Sequence, residues 1–179
     1  METEGTEAKP ASASRISLAI ITEPGQANPF GTIHGGVLLK LADECGAVSA
    51  LRHAGQGQIT TAAIDSLMFF GPVHVGERVE IVAEVTYVGR TSIESRIEVY
   101  AEAFDRPERR KVAVGYALYV ALDESGRRPR PVPPLLIETE DQRRHLEAAR
   151  ARQEVRLARR ATAQAGEGAP PQDLPTGKT

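Results

Sequence analysis

The stretch that decides the fold is NPFGTIHGGVLLKLADECGAVSALRH, Asn28 to His53. Its first residues form a loop, punctuated by Pro29 and Gly31. From about His34-Gly35-Gly36 onward the spacing predicts a long helix that is apolar on nearly every side. On a 3.6-residue period Val37, Leu38, Leu41, Cys45 and Val48 make one apolar stripe. Gly36, Leu39, Asp43, Gly46, Ala47 and Ala50 make a second stripe of small residues with one carboxylate in its middle. A helix of this kind belongs inside a fold. Asp43 must therefore find a partner, shift its pKa or do chemistry. Arg52 and His53 place positive charge on the last turn, where the helix dipole favours it, and Gly55 is a suitable stop.

Around this helix the chain reads as strands. Arg15–Ile21 alternates Ile16, Leu18 and Ile20 with polar or small residues. After the helix come Ile59–Phe70, Arg78–Val88, Ile93–Ala103 and Lys111–Leu122, with Asp105–Arg110 as a polar, Pro-containing turn. The one-sided alternation of Val79, Ile81, Ala83, Val85 and Tyr87, and of Ile93, Ile97, Val99 and Ala101, predicts an antiparallel sheet. One face is packed, and one, carrying Glu94, Arg96, Glu98 and Glu102, is wet. In the last strand the apolar set is Val112, Val114, Tyr116, Leu118 and Val120. Strand, helix, then a four-stranded meander gives an α+β domain with the sheet wrapped around the helix. We place that domain at residues 14–125, after a disordered 1–13. A proline-rich arm and a C-terminal helix occupy 126–162, and 163–179 is a disordered tail. Thr139 and Gln142 form a capping box that opens the last helix, which runs to about Arg160. Leu146, Ala149 and Leu157 give it only a thin apolar stripe, so it lies on a surface or against another subunit.

With 179 residues, 41% hydrophobic and 26% charged, the chain has the composition of a globular protein. A net charge of −2 and the lack of a basic face exclude a nucleic-acid footprint. No apolar run spans a bilayer, and an acidic N-terminus is no signal peptide. A single cysteine, Cys45, makes no internal disulfide, so the expected compartment is the cytoplasm. Cys45 lies on the apolar stripe as a core residue rather than a nucleophile. His34, His53, His74 and His145 lack metal-ligand spacing, so no metal site is expected.

Neither a G-x-S-x-G elbow nor a P-loop is present. What remains is Asp43. It is either a structural carboxylate bonded to a neighbouring group or a catalytic one. Gly35 and Gly36 either make a tight turn or leave N–H groups bare at a helix N-terminus, suited to a developing oxyanion. Asn28 offers an amide to orient water or a carbonyl, and His34 is a turn residue within reach of substrate. Arg90, Thr91 and Ser92 read as a polar β-turn. Asp65 reads as a strand-edge or hydrogen-bonded carboxylate.

The pattern N-x-x-G-x-x-H-G-G-x-x-L-K-x-x-D-E-x-G-A-x-x-A-x-R-H resembles the hotdog-fold acyl-CoA thioester hydrolases of the cytosolic long-chain branch. So do I-T-T-A-A-I-D-S-L-M-F-F-G-P-V-H-V-G, V-T-Y-V-G-R-T-S-I-E and P-V-P-P-L-L-I-E-T-E-D-Q, and the likeness covers about Arg15 to Arg160. The resemblance implies a hotdog sheet around a central helix and hydrolysis of fatty acyl-CoA to free acid and CoA. Coenzyme A then enters as part of the substrate and no separate cofactor is needed. It implies sites shared between two hotdog units, with Asp43 as base or nucleophile and Asn28 supplied by the partner subunit. The Gly35 and Gly36 amides would polarise the thioester. A homodimer follows, built further into a homohexamer, with Arg90, Thr91 and Ser92 near the CoA nucleotide. The rival of another class is a hotdog protein that binds acyl-CoA without turnover. Acyl chain length is not legible.

Overall fold

The computed structural model describes residues 7–166. In chain order its elements are β1 (Lys9–Pro10), β2 (Ile16–Ile21), α1 (Gly35–Ala54), β3 (Gln58–Phe69), β4 (Arg78–Val88), β5 (Ser92–Ala103), β6 (Arg106–Leu122), β7 (Leu135–Leu136) and α2 (Glu140–Gly166). Five strands form one antiparallel sheet in the order β2-β4-β5-β6-β3, and β1 pairs with β7 in a small parallel sheet. The expected simple meander is corrected here. α1 crosses the concave face and delivers β3 beside β6 at the far edge, so only β4, β5 and β6 follow one another as neighbours.

The helix meets the sheet through small residues. Leu38, Ala42, Cys45, Gly46, Ser49 and Ala50 are buried, whereas Val48, expected on the inner stripe, is 47% exposed. The reason is close approach. A Cβ on Gly46 would collide with the Tyr119 hydroxyl and lie 2.8 Å from Ile97 Cδ1. β6 answers with the same economy. Its buried face is Ala113, Gly115, Ala117, Tyr119 and Ala121, so the larger set Val114, Tyr116, Leu118 and Val120 points the other way. That inverts the expected parity of this strand from Ala113 onward, while Val112 of the expected set is buried.

The end of α1 is held from outside the domain core. Gly55 terminates it with φ 89°, Lys9 Nζ donates to the His53 carbonyl at 2.9 Å and Arg130 donates to that of Ala54 at 2.8 Å. These cations sit on carbonyls that the helix leaves unpaired. His53 is not the expected positive charge. It is buried, its Nε2 lies 3.0 Å from the Pro133 carbonyl, and burial pushes its pKa below the usual value, so it is neutral. Residues 7–13 are likewise not disordered. Lys9 and Pro10 pair with Leu135 and Leu136, and Ala11 is fully buried.

The outer face of the sheet is wet only in part. α2 lies across the region of Glu84, Glu94 and Asp65, whereas Glu80, Glu102 and Arg109 keep 21–43% of their side chains exposed. Thr139 caps the helix as expected, its Oγ1 accepting from the Gln142 amide at 3.2 Å. The docking stripe is polar, however: Gln142, Arg152 and Arg156 face the sheet, Ala149 is fully buried, and Leu157 is 58% exposed. Arg156 pairs with both Asp65 and Glu94, and Arg152 reaches Glu94 at 2.8 Å. Asp65 is thus a hydrogen-bonded carboxylate, the second of its two readings. The β5–β6 turn is also tighter than expected, since β6 begins at Arg106, with a ladder irregularity between Ala101 and Ala103. The expectations for residues 1–6 and 167–179 lie outside the described residues.

Two groups set an acid limit on stability. Burial alone would raise the Glu98 carboxyl, but Arg96 and Lys111 override it and hold the pKa at about 2, against an ordinary 4.5. A depressed native pKa means the unfolded chain binds more protons in that window, so stability is full above 4.5 and drains away toward about 2. The buried His53 acts in the same direction at higher pH, below its ordinary 6.5. Urea unfolding followed against pH should show both losses, and Glu98→Gln should flatten the lower one, on the order of 2 kcal/mol.

Candidate active site

Asp43 sits in the third turn of α1 on the rim between the helix and β3. Its Oδ1 accepts a hydrogen bond from Thr61 Oγ1 at 3.0 Å, and the Tyr119 hydroxyl lies 3.1 Å from its carbonyl oxygen and 3.4 Å from the same Oδ1. Among the described residues Oδ2 has no partner. Thr61 and Tyr119 face each other across the β3–β6 ladder, which explains how residues 18 and 76 positions away converge on one carboxylate. Neither was singled out from sequence. The available signals were the polar Thr60-Thr61 pair inside an apolar strand and Gly46, whose missing side chain makes room for the phenol.

Beside Asp43 a narrow cleft of about 10 Å³ opens between α1 and the sheet, lined by Leu39, Ile64, Leu67 and Ile97 among others. It holds no more than about one water, so within a single chain the cleft beside Asp43 has no room for an acyl group. Cys45, two residues along, is inert: burial pushes its thiol up to about 11.

The N-terminus of α1 is organised separately. His34 is its N-cap, with Nδ1 accepting from the Gly36 amide at 3.2 Å. The Gly36 N–H is therefore not bare, which corrects that expectation, while the Gly35 N–H has no partner among the described residues. Asn28 shapes the loop upstream: Oδ1 accepts from the Phe30 amide at 2.9 Å, and Nδ2 donates to Thr32 Oγ1 at 2.8 Å. From Gly35 to Asp43 the helix rises about 12 Å at 1.5 Å per residue. One thioester carbonyl cannot span that distance. Within a single chain, then, the structure does not bring Asn28, Gly35 and Gly36 together with Asp43.

Arg90, Thr91 and Ser92 form the tight β4–β5 turn, where the Gly89 amide bonds to the Ser92 carbonyl at 2.8 Å. The Arg90 and Thr91 carbonyls hold Val132 and Ala121, so this turn anchors the proline-rich arm. The Arg90 side chain is exposed and unpaired among the described residues. Ser92 lies opposite Val120, the neighbour of Tyr119, so the turn is at the Asp43 end of the sheet.

A long helix cradled by a five-stranded antiparallel sheet, with one carboxylate on the open rim, defines the hotdog class. The profile of the Thioesterase superfamily matches residues 30–103. A Zymomonas mobilis protein named an uncharacterized acyl-CoA thioester hydrolase is 34% identical over 125 residues, 70% of this chain and 83% of that protein. The cytosolic acyl coenzyme A thioester hydrolase of Mus musculus is 33% identical over 143 residues, 79% of this chain. The chain spans only 37% of the mouse protein's length. Among solved structures, the acyl-CoA hydrolase of Staphylococcus aureus, in complex with butyryl coenzyme A, coenzyme A and coenzyme A disulfide, superposes with a TM-score of 0.81 at 31% identity, covering 89% of this chain and 96% of that one. That hydrolase has also been solved with an aspartate, an asparagine and a threonine each replaced by alanine. A hexameric acyl-CoA thioesterase gives a TM-score of 0.81 at 37% identity, covering 87% and 98%. This chain belongs to the thioesterase superfamily, among the acyl-CoA thioester hydrolases.

Proposed function

We propose that the protein hydrolyses fatty acyl-CoA to the free acid and CoA at a site built from two copies of the chain. The observation that carries the two-copy reading is the separation along α1: a carboxylate on the third turn, and the amide end with its asparagine loop about 12 Å away. Two copies related by a two-fold axis can set Asp43 of one against Asn28 and Gly35 of the other, giving two equivalent sites. The surface for such pairing is present. β3 is an edge strand, and Ile64, Met68, Phe69 and Phe70 on and beside it are 42–60% exposed. A long edge strand with exposed apolar side chains calls for a partner. Higher assembly into hexamers, as in the hexameric relative, is part of the same proposal.

In this reading the Gly35 N–H, aided by the helix dipole, binds the thioester oxygen as charge develops on it. Asn28 orients the water or carbonyl, and His34 shapes the same end of the helix. The unpaired Oδ2 of Asp43 either removes a proton from water attacking the thioester carbon or attacks that carbon itself. In both routes the C–S bond breaks and the sulfur leaves as CoA thiolate, which is then protonated. The first route puts a solvent oxygen directly into the acid, whereas the second leaves an anhydride between Asp43 and the acyl group that water must open. Water attacking its aspartyl carbon leaves the solvent oxygen in Asp43 and the enzyme's oxygen in the acid, so label found in Asp43 after one turnover in ¹⁸O water identifies the second route. Arg90, Thr91 and Ser92, at the Asp43 end of the sheet, are proposed to meet the nucleotide of CoA. The aspartate, asparagine and threonine altered in the Staphylococcus hydrolase are the residue types of Asp43, Asn28 and Thr61, which supports this choice of site.

Thiol release from acyl-CoAs of graded chain length tests the proposal. Turnover on at least one, with first-order dependence on enzyme, is expected. Tight binding of CoA esters with no thiol release would overturn it in favour of a binding protein.

A further inference from the structure

We propose that Tyr119 is a positioning residue for Asp43: its hydroxyl, together with that of Thr61, fixes Oδ1 and so leaves Oδ2 as the one reacting oxygen. This rests on the reading of Asp43 as the reacting carboxylate. Three observations converge on it. The Tyr119 side chain is fully buried, and its hydroxyl lies within 3.1 Å of the Asp43 carbonyl and 3.4 Å of Oδ1. Gly46 on the facing turn leaves the space that this hydroxyl occupies, since a Cβ there would collide with it. Thr61 approaches Oδ1 from the edge strand at 3.0 Å, so both sheet-side donors converge on the same oxygen. A phenol on the sheet side and a hydroxyl on the edge side leave the carboxylate one orientation. Hydrogen bonds of this kind are long in an empty site and tighten when substrate fills it.

Thr61 is the nearer donor to Oδ1, at 3.0 Å, and Tyr119 is the second, at 3.4 Å, its one proton shared with the Asp43 carbonyl at 3.1 Å. Among the described residues the side chains bonded to Asp43 are Thr61 from β3 and Tyr119 from β6, and the cleft beside them is lined by Ile64 and Leu67 from β3 and Ile97 from β5. On α1 itself Lys40 and Glu44 pair with each other at 2.6 Å, and Cys45 turns into the core. Burial, with Asp43 adding to it, pushes the Tyr119 pKa far up, so the phenol keeps its proton and remains a donor throughout the working range. A donor bonded to a carboxylate favours the charged form, and removing it favours the protonated one.

The test is kcat and KM against pH for wild type, Tyr119→Phe and Asp43→Asn on one acyl-CoA that the wild type hydrolyses. Tyr119→Phe should lower kcat about tenfold with KM within about twofold, and move the acid limb of kcat/KM upward by about half a unit to one unit. Gly46→Ala, which drives a methyl into the hydroxyl's place from the helix side, should move the limb in the same direction, and it serves as the second probe should the phenylalanine variant fold poorly. An inactive Asp43→Asn beside a Tyr119→Phe limb that coincides with wild type overturns the positioning role while leaving the Asp43 reading intact. An Asp43→Asn enzyme as active as wild type overturns the reading of Asp43 and this inference with it.

Discussion

Asp43→Asn should lower kcat for acyl-CoA hydrolysis about a thousandfold or more, with the fold and assembly unchanged. The amide keeps the shape of the side chain and still accepts from Thr61 and Tyr119 through its carbonyl oxygen. What it loses is the negative oxygen that faces away from both, and neither base nor nucleophile chemistry survives that loss. A purely structural Asp43 predicts a different result, because an asparagine can satisfy the same two donors. Steady-state thiol release, read beside a thermal melt and a sizing column, decides between them. A fall below about tenfold would return Asp43 to the structural role.

The second large effect concerns the outer face of the sheet. Glu94 is fully buried, bonded by Thr86 at 2.7 Å and by Arg152 at 2.8 Å, and Arg156 bridges it to Asp65. Arg152 also stacks on Tyr116, 3.6 Å from the ring centroid. Removing one partner of a buried ion cluster strands the others, which costs far more than the cluster contributes over an apolar core. Arg156→Ala should therefore destabilise by about 3 kcal/mol, loosening α2 from the sheet. The double variant Glu94→Gln with Arg156→Met should recover part of that loss, since it removes charge from both sides. Denaturant unfolding of wild type, Arg156→Ala and the double variant measures it. A loss below about 1 kcal/mol for Arg156→Ala would show that α2 is held by something other than this cluster.

The sequence announced some of this and hid the rest, for physical reasons. β2 and β4 were legible because Ile16, Leu18 and Ile20, and Val79, Ile81, Ala83 and Val85, alternate against polar neighbours. β6 misled because both of its faces are apolar. Bulk favoured the Val114-Tyr116-Leu118 face, yet the face against α1 is the small one, where Ala113, Gly115 and Ala117 let the helix approach. The docking of α2 was hidden because its contact stripe is arginine and glutamine rather than leucine. β1 was hidden because two residues carry no period, and the placement of β3 because strand order is a long-range property. At the site, Asp43 stood out as a lone carboxylate on a stripe of small residues. Thr61 and Tyr119 did not, since their relation to it exists only through the β3–β6 register. The capped Gly36 amide was invisible for a local reason: His34 read as a turn residue, and its ring supplies the acceptor.

On the proposed two-copy reading each site draws Asp43 from one copy and Asn28 from another. Mixing two inactive proteins, Asn28→Ala and Asp43→Asn, after dissociation and reassembly tests it most directly. A mixed pair holds one doubly damaged site and one with both native residues, so an equal mixture should regain about a quarter of wild-type activity. A mixture that stays as inactive as its two components, with mixed pairs demonstrated by native mass spectrometry, would place both residues in the same copy's site and contradict the account.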